Sequence, residues 1–279
     1  MSERGRLILC ATPIGNLGDV SDRLRATLAD ADVIYAEDTR RTSVLLGHIG
    51  VSQPIRSLFI GNEEVRTEEL LSAVLEGKTV ALVTDAGMPG ISDPGAAAVR
   101  RVREAGLPVT VIPGPSAVTS AVALAGFGGE GFVFEGFLPK KGRVRTERLG
   151  RIAGEDRPVV LFVSPHRFQA DLLDLASTSG EDRQVVVTRE LTKLHEEVWV
   201  GSIGAALEEW SRRPPKGEFT IVLAPVEPQP VSAADAIARA RLLVSGGATA
   251  SDAAREVAAA TGVSRRKIYQ ALLGTQDRS

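Results

Sequence analysis

For most of its length the chain alternates short β-branched or apolar runs with longer stretches whose apolar residues recur at helical spacing. Residues 6–12, 32–36, 55–59, 79–84 and 108–112 read as strands, and residues 19–29, 39–49, 63–75 and 95–105 as the helices between them. This βαβ rhythm predicts a parallel sheet covered by helices on both faces. Pro113-Gly114-Pro115 is the sharpest break, because two prolines flanking a glycine stop strand and helix alike. A second α/β unit follows, with strands expected at 132–137, 159–163, 184–188, 196–200 and 218–223. The segment from Glu196 to Gly201 comes too soon after 185–188 for a helical crossover, which predicts antiparallel pairing and a mixed sheet. Residues 225–230 carry three prolines and read as a stiff linker into an alanine-rich helical tail punctuated by Gly246, Gly247 and Gly262. The expected organisation is therefore an N-terminal α/β domain over 1–114, a mixed α/β domain over 115–226 and a helical tail over 231–279.

Composition narrows this picture. With 279 residues, 43% hydrophobic and 24% charged, the chain is that of an ordinary globular protein, and wholesale disorder is excluded. No window approaches the roughly 18 consecutive apolar residues that a membrane helix needs. The N-terminal apolar run reads as a strand rather than a signal peptide. The single cysteine, Cys10, rules out an internal disulfide framework and a multi-cysteine zinc site, so a reducing cytoplasm is the expected compartment. The net charge of −2 divides unevenly: residues 231–279 carry a formal +3 and the remainder −5. A second basic segment, residues 138–151, holds Lys140, Lys141, Arg143, Arg145, Arg148 and Arg151 against Glu147 alone. Either patch serves equally well as a solvated face or as a contact for phosphate.

Several motifs can be set aside on their context. Gly126, Gly128 and Gly131 match the dinucleotide fingerprint, but a helical run precedes them and a strand follows, the reverse of what phosphate binding requires. They read as an interdomain or αβ turn. There is no Walker phosphate loop, and His48, His166 and His195 lack partners at metal-binding spacing, so no metal is expected. Cys10 lies in an apolar strand and reads as core.

Three loops look unlike plain turns. Ala11-Thr-Pro-Ile-Gly-Asn-Leu-Gly-Asp19 follows the first strand, where open α/β sheets bind ligands. Ala36-Glu-Asp-Thr-Arg-Arg41 places two acids and two arginines at the next strand end; Asp38 or Thr39 could cap a helix, or Glu37, Asp38 or Arg40 could face a polar cleft. Thr84-Asp-Ala-Gly-Met-Pro-Gly-Ile-Ser-Asp-Pro-Gly95 is too rich in special backbone geometry to be a turn alone, and Asp93-Pro94 resembles a helix start with Asp93 at the cap.

Together with Pro113-Gly-Pro-Ser-Ala117, Glu135-Gly-Phe-Leu-Pro139, Ser164-Pro-His-Arg167, Arg189-Glu-Leu-Thr-Lys193 and Gly217-Glu-Phe-Thr220, these segments resemble, in matching order, the ribosomal RNA small subunit methyltransferase I family of the tetrapyrrole methylase-like superfamily. The resemblance spans about residues 7–223. It implies a two-domain class III methyltransferase fold, commonly homodimeric, with S-adenosylmethionine between the domains and a 16S rRNA cytidine of the small ribosomal subunit as the 2′-O-methylation target. By motif position, Asp85, Ala86, Gly87, Met88, Pro89 and Ile91 would line the cofactor, joined by Ser116, Ala117, Ser164 and Pro165. A carboxylate and backbone carbonyls suit a sulfonium better than a cationic cradle does.

Two departures stand out. The family's S-L-x-x-H-N-E stretch is Ser57-Leu-Phe-Ile-Gly-Asn-Glu63 here, so no histidine base can be placed there, and the aromatic-Glu before S-P-x-R is Phe162-Val163. Glu37, Glu63, Glu190 and Lys193 remain the polar catalytic candidates, with no choice among them. In the tail, Ser251, Gly262 and Ser264 punctuate a helix-turn-helix rhythm that puts Arg265, Arg266 and Lys267 at the start of a second helix. These three, with Arg40, Lys140, Lys141, Arg143 and Arg145, are the expected RNA contacts. Two rival functions stay open: methylation of a tetrapyrrole precursor on the same scaffold, and a non-enzymatic nucleic-acid-binding regulator.

Overall fold

The computed structural model describes residues 5–129, 131–226 and 231–273. Glu130 of the glycine-rich turn, most of the linker and the last residues of the tail lie outside the described residues. Residues 1–226 form one unit and 227–279 a second.

The first unit contains two five-stranded sheets. Strands β1 (Arg6–Cys10), β2 (Val33–Ala36), β3 (Ile55–Ser57), β4 (Thr79–Val83) and β5 (Val109–Ile112) lie in the order β3-β2-β4-β1-β5, and every pairing is parallel. The crossovers are α1 (Asp22–Asp30), α2 (Thr39–Ile49), α3 (Glu63–Leu75) and α4 (Ala96–Glu104). Because side chains alternate across a strand, Ile8, Cys10, Ile34 and Ala81 pack on Leu24 and Leu28 of α1 and Leu45 and Ile49 of α2. Leu7, Val33, Tyr35, Val80 and Leu82 pack on α3 and α4 through Leu70, Val74, Ala98 and Val102. Both faces are buried, which is why these strands read as nearly unbroken apolar runs. Cys10 is fully buried and burial pushes its thiol up to about 12, in keeping with a core role.

After the proline break, α5 (Ala117–Ala125) leads into the second sheet, ordered β6 (Val133–Phe137), β7 (Val159–Val163), β10 (Phe219–Leu223), β8 (Gln184–Arg189) and β9 (Glu197–Ser202). Only β6 and β7 pair in parallel; the other neighbours are antiparallel, including β8 with β9, so the sheet is mixed as the short connection requires. One face is covered by α6 (Arg143–Ala153), α7 (Phe168–Ser179) and α8 (Ile203–Ser211), around Phe168, Trp210 and Phe219. The other face takes α5, whose Val118 and Ala121 meet Val160, Val222 and Ile14. Ile14 belongs to the loop after β1, so this small cluster ties the two sheets together. Gly126 ends α5 in the left-handed conformation (φ 63°), confirming that the reversed fingerprint is an αβ turn.

The second unit is a three-helix bundle of α9 (Ala233–Ser245), α10 (Ala250–Thr261) and α11 (Arg265–Leu273) closed over Ala236, Ala240, Ala253, Val257, Ile268 and Leu272. Its alanines let helix backbones approach closely. The cap of α10 is Thr249, whose hydroxyl accepts from the Asp252 N–H, rather than Ser251. The helix begins two residues earlier than expected, and Ser251 Oγ accepts instead from Arg265 Nη2 at 3.1 Å, linking the starts of α10 and α11. Among the described residues, no helix is long and apolar enough to cross a membrane.

Candidate functional site

A cavity of about 350 Å³ opens where the carboxyl ends of β2 and β4 and the loop after β1 face β7, β8 and β10 of the second sheet. Strand ends are where backbone groups leave the ladder, so polar loops can present donors and acceptors there without breaking a sheet.

The loop after β4 forms one wall. It is pinned to the loop after β1 by a reciprocal pair of backbone bonds, Thr12 N–H to Gly87 O at 2.9 Å and Gly87 N–H to Thr12 O at 3.1 Å. Thr12 Oγ1 adds a bond to Thr84 O at 3.1 Å. Gly87 sits at φ 81°, in the left-handed region that a side chain resists, and this lets its backbone face the loop after β1. Asp85 reaches to the next loop: its Oδ1 accepts from Asp38 N–H at 2.9 Å, and its Oδ2 lies 3.5 Å from Arg41. Asp38 caps α2 as one reading anticipated, and its carboxylate, held down to about 2 by Arg40, takes both the Arg40 N–H and its guanidinium. Thus Arg40 is turned into a local ion pair, although its side chain stays 89% exposed.

Asp93 behaves differently from its expected role as a helix cap. Helix α4 starts at Ala96 with Gly95 in the cap position, and the Gly95 N–H is taken by Glu63 Oε1 at 2.9 Å. Asp93 instead lines the cavity, beside Glu37 and Asp85. Burial, then the neighbouring Glu37 and Asp85 charges, raise its carboxyl to about 7. Glu37 is raised for the same reasons, burial first and Asp85 next.

The RELTK and GEFT segments form the opposing wall. Glu190 and Thr192 hold positive φ (50° and 67°), a strained backbone maintained by dense bonding. Glu190 N–H donates to Glu218 O at 2.9 Å, and Glu218 N–H returns a bond to Glu190 Oε1 at 2.8 Å. Lys193 Nζ lies 2.9 Å from both Glu190 Oε1 and Glu218 Oε2. Burial pushes Glu190 up, but the Glu218 N–H and Lys193 outweigh it and leave the carboxyl low; burial likewise opposes, and the two glutamates restore, a raised Lys193. The pair is therefore ionised near neutral pH.

Of the expected cofactor residues, Asp85, Ala86, Gly87, Met88, Ile91, Ser116, Ala117, Ser164 and Pro165 line the cavity, whereas Pro89 does not. Of the catalytic candidates only Glu37 lines it. Glu63 anchors α4, and Glu190 and Lys193 bond each other behind Leu191 and Glu218. Sequence reasoning left out Arg41, Ser92, Asp93, Phe137, Thr188 and Thr220, which share the lining. For Asp93 a signal was present, since an aspartate before proline in a loop rich in glycine and proline has two possible uses.

The basic segment is only partly a surface. Arg145, expected to meet RNA, is 6% exposed and serves as an internal clamp. Its guanidinium reaches Asp171 Oδ1 (2.8 Å), Asp174 Oδ2 (2.8 and 2.5 Å) and Pro139 O (2.8 Å). The helical period explains the miss: Arg145 shares the inward face of α6 with Leu149 and Ile152. Lys140, Lys141 and Arg143 are exposed, as are Arg265, Arg266 and Lys267 at the start of α11.

Comparison with known proteins extends this geometry. Residues 6–207 match the sequence model of the Tetrapyrrole (Corrin/Porphyrin) Methylases, and 230–276 match that of the RsmI C-terminal HTH domain. The Ribosomal RNA small subunit methyltransferase I of Synechocystis sp. is 43% identical over 269 residues, covering 95% of this chain and 96% of that protein. The protein of the same name from Mycobacterium tuberculosis is 44% identical over 272 residues, covering 96% and 95%. Among solved structures, the methyltransferase CobJ superposes with a TM-score of 0.62 at 20% identity over 82% of this chain and 97% of its own, a likeness of fold alone. The chain therefore belongs to the tetrapyrrole methylases and, within them, to the ribosomal RNA small subunit methyltransferase I family.

Proposed function

We propose that this methyltransferase uses S-adenosylmethionine to methylate the ribose 2′-oxygen of a decoding-site cytidine in 16S rRNA of the small ribosomal subunit. The observation that carries the reading is the near full-length similarity, tail included, to proteins bearing the ribosomal RNA small subunit methyltransferase I name. The reading treats residues 1–114 and 115–226 as two lobes that hold the donor between them.

The lining fits such a donor. Glu37, Asp85 and Asp93 present carboxylates to a cation, and Ile14, Met88 and Val118 offer apolar surface to an uncharged ring. When bound, the donor supplies an electrophilic methyl on positively charged sulfur. Asp85, Gly87, Ser116 and Ser164 would hold it, and the Thr12–Gly87 bonds keep that wall rigid, so that the positions of donor and acceptor are fixed before reaction. A sugar hydroxyl brought to the cleft must lose its proton. Glu37 and Asp93 are the lining carboxylates placed to accept it, and burial raises both above their ordinary values. Lys140, Lys141 and Arg143 would steer the RNA backbone, and so would Arg265, Arg266 and Lys267.

Labelled-methyl transfer into small subunits lacking the modification, followed by mapping, tests the proposal. One labelled cytidine ribose is the expected outcome. Label entering a porphyrin precursor instead would establish the tetrapyrrole function, and no transfer combined with tight duplex DNA binding would establish a regulator.

The tail has its own test. Neutralising Arg265, Arg266 and Lys267 together should weaken RNA binding and reduce the slope of log affinity against log salt by about 2, as expected for three lost phosphate contacts. An unchanged slope would place the tail outside the RNA interface.

A further inference from the structure

Three carboxylates reach the cleft from different elements: Glu37 after β2, Asp85 after β4 and Asp93 before α4. The charged groups around them are unevenly committed. From α2, Arg41 pairs with Asp85 at 3.5 Å, while Asp38 and Arg40 satisfy each other. From α3, Glu63 is taken by the Gly95 N–H. Across the cleft, Glu218 lines the far wall, and Lys193 is shared between Glu190 and Glu218. Among the described residues, no cation lies within ion-pair distance of Asp93 or Glu37.

Two half-buried carboxylates lining one cleft, with Arg41 ion-paired to Asp85, are costly to ionise together. A fixed cation placed among them reverses that balance. We propose that Asp93, backed by Glu37, carries a proton in the donor-free cleft and gives it up to solvent when the sulfonium of the donor enters. The only bond broken is the Asp93 O–H; the proton passes to buffer, and the carboxylate left behind pairs with the donor's charge. The thioether product has lost that charge, so it does not hold Asp93 ionised, and the site reprotonates around it. The inference rests on the donor reading above.

The sign follows from linkage. The donor-free protein binds more protons than the complex, so donor affinity rises with pH and levels off above the Asp93 midpoint of about 7. Below it, affinity falls by up to about tenfold per pH unit.

The test is calorimetric titration of the full chain with S-adenosylmethionine and, separately, S-adenosylhomocysteine between about pH 6 and 8, each in buffers of different protonation enthalpy. The two ligands share the same amino-acid end, so their difference isolates the sulfonium. Donor binding should release a proton near neutral pH and product binding should release much less. Asp93→Asn should abolish the release and flatten the pH profile. Glu37→Gln removes a neighbouring negative charge and should move the midpoint to lower pH, which serves as the check should Asp93→Asn fail to fold. Donor binding without proton release, or an Asp93→Asn variant with the wild-type pH profile, overturns the inference alone. Absence of donor binding at every pH overturns the donor reading and this inference with it.

Discussion

Arg145→Ala should unfold up to about 3 kcal/mol more easily than the wild type, because it leaves the buried Asp171 carboxylate with only the longer contact to Arg167 at 3.3 Å. The Arg145 and Asp171 side chains are 7% and 5% exposed, so water cannot replace the lost guanidinium. For a chain of this size, such a loss lowers the melting temperature on the order of 10 °C. The Pro139 carbonyl loses its donor as well, and Pro139 lies two residues beyond Phe137 of the cleft lining, so the cleft wall should loosen with the fold. Arg145→Lys keeps the charge but cannot reproduce the fork, and should fall between the two. A double variant with Asp171→Ala should cost less than the sum of the single changes, since it removes the buried carboxylate together with its main partner. Chemical denaturation of the wild type, Arg145→Ala, Arg145→Lys, Asp171→Ala and the double variant decides the matter. Wild-type stability in Arg145→Ala, accompanied by weakened RNA binding, would return this arginine to the RNA surface.

The second large effect concerns the donor. Asp85→Ala should weaken S-adenosylmethionine binding about tenfold to a hundredfold, the range expected for losing a charge-assisted contact of roughly 1.5–3 kcal/mol. Asp85 has two jobs, because its Oδ1 also takes the Asp38 N–H at 2.9 Å and so holds the start of α2 against the loop after β4. Asp85→Asn keeps an acceptor for that N–H while removing the negative charge, and it should retain the fold with most of the affinity loss. If the Asn variant binds the donor like wild type while the Ala variant does not, Asp85 is a positioning residue. Unchanged affinity in both would mean that the loop after β4 is not part of the donor site.

The elements themselves were legible in the chain. Both faces of the first sheet are covered, so its strands carry apolar residues at successive positions, and helices α2 and α3 fall at the residues their spacing indicates. The antiparallel pairing of β8 with β9 followed from chain length alone, because too few residues separate them for a crossover. Strand ends proved less exact: the first and third strands stop two residues short of expectation, where the backbone turns into the following loops.

The motif loops also announced themselves, since glycine, proline and paired charges at strand ends have few uses in a plain core. Their mutual arrangement did not. The Thr12–Gly87 bonds, the Asp85 link to Asp38 and the Glu190–Lys193–Glu218 cluster each join residues brought together only by packing of the sheets and loops.

What the sequence by itself determined was the order and kind of elements and the family membership, because periodicity and motif chemistry are local and survive in one dimension. What only the tertiary structure decided was the work of individual charges. Asp93 turned from helix cap to cleft carboxylate and Arg145 from RNA contact to buried clamp, since the state of an ionisable group depends on its solvent exposure and neighbouring charges, which are properties of the folded chain in three dimensions.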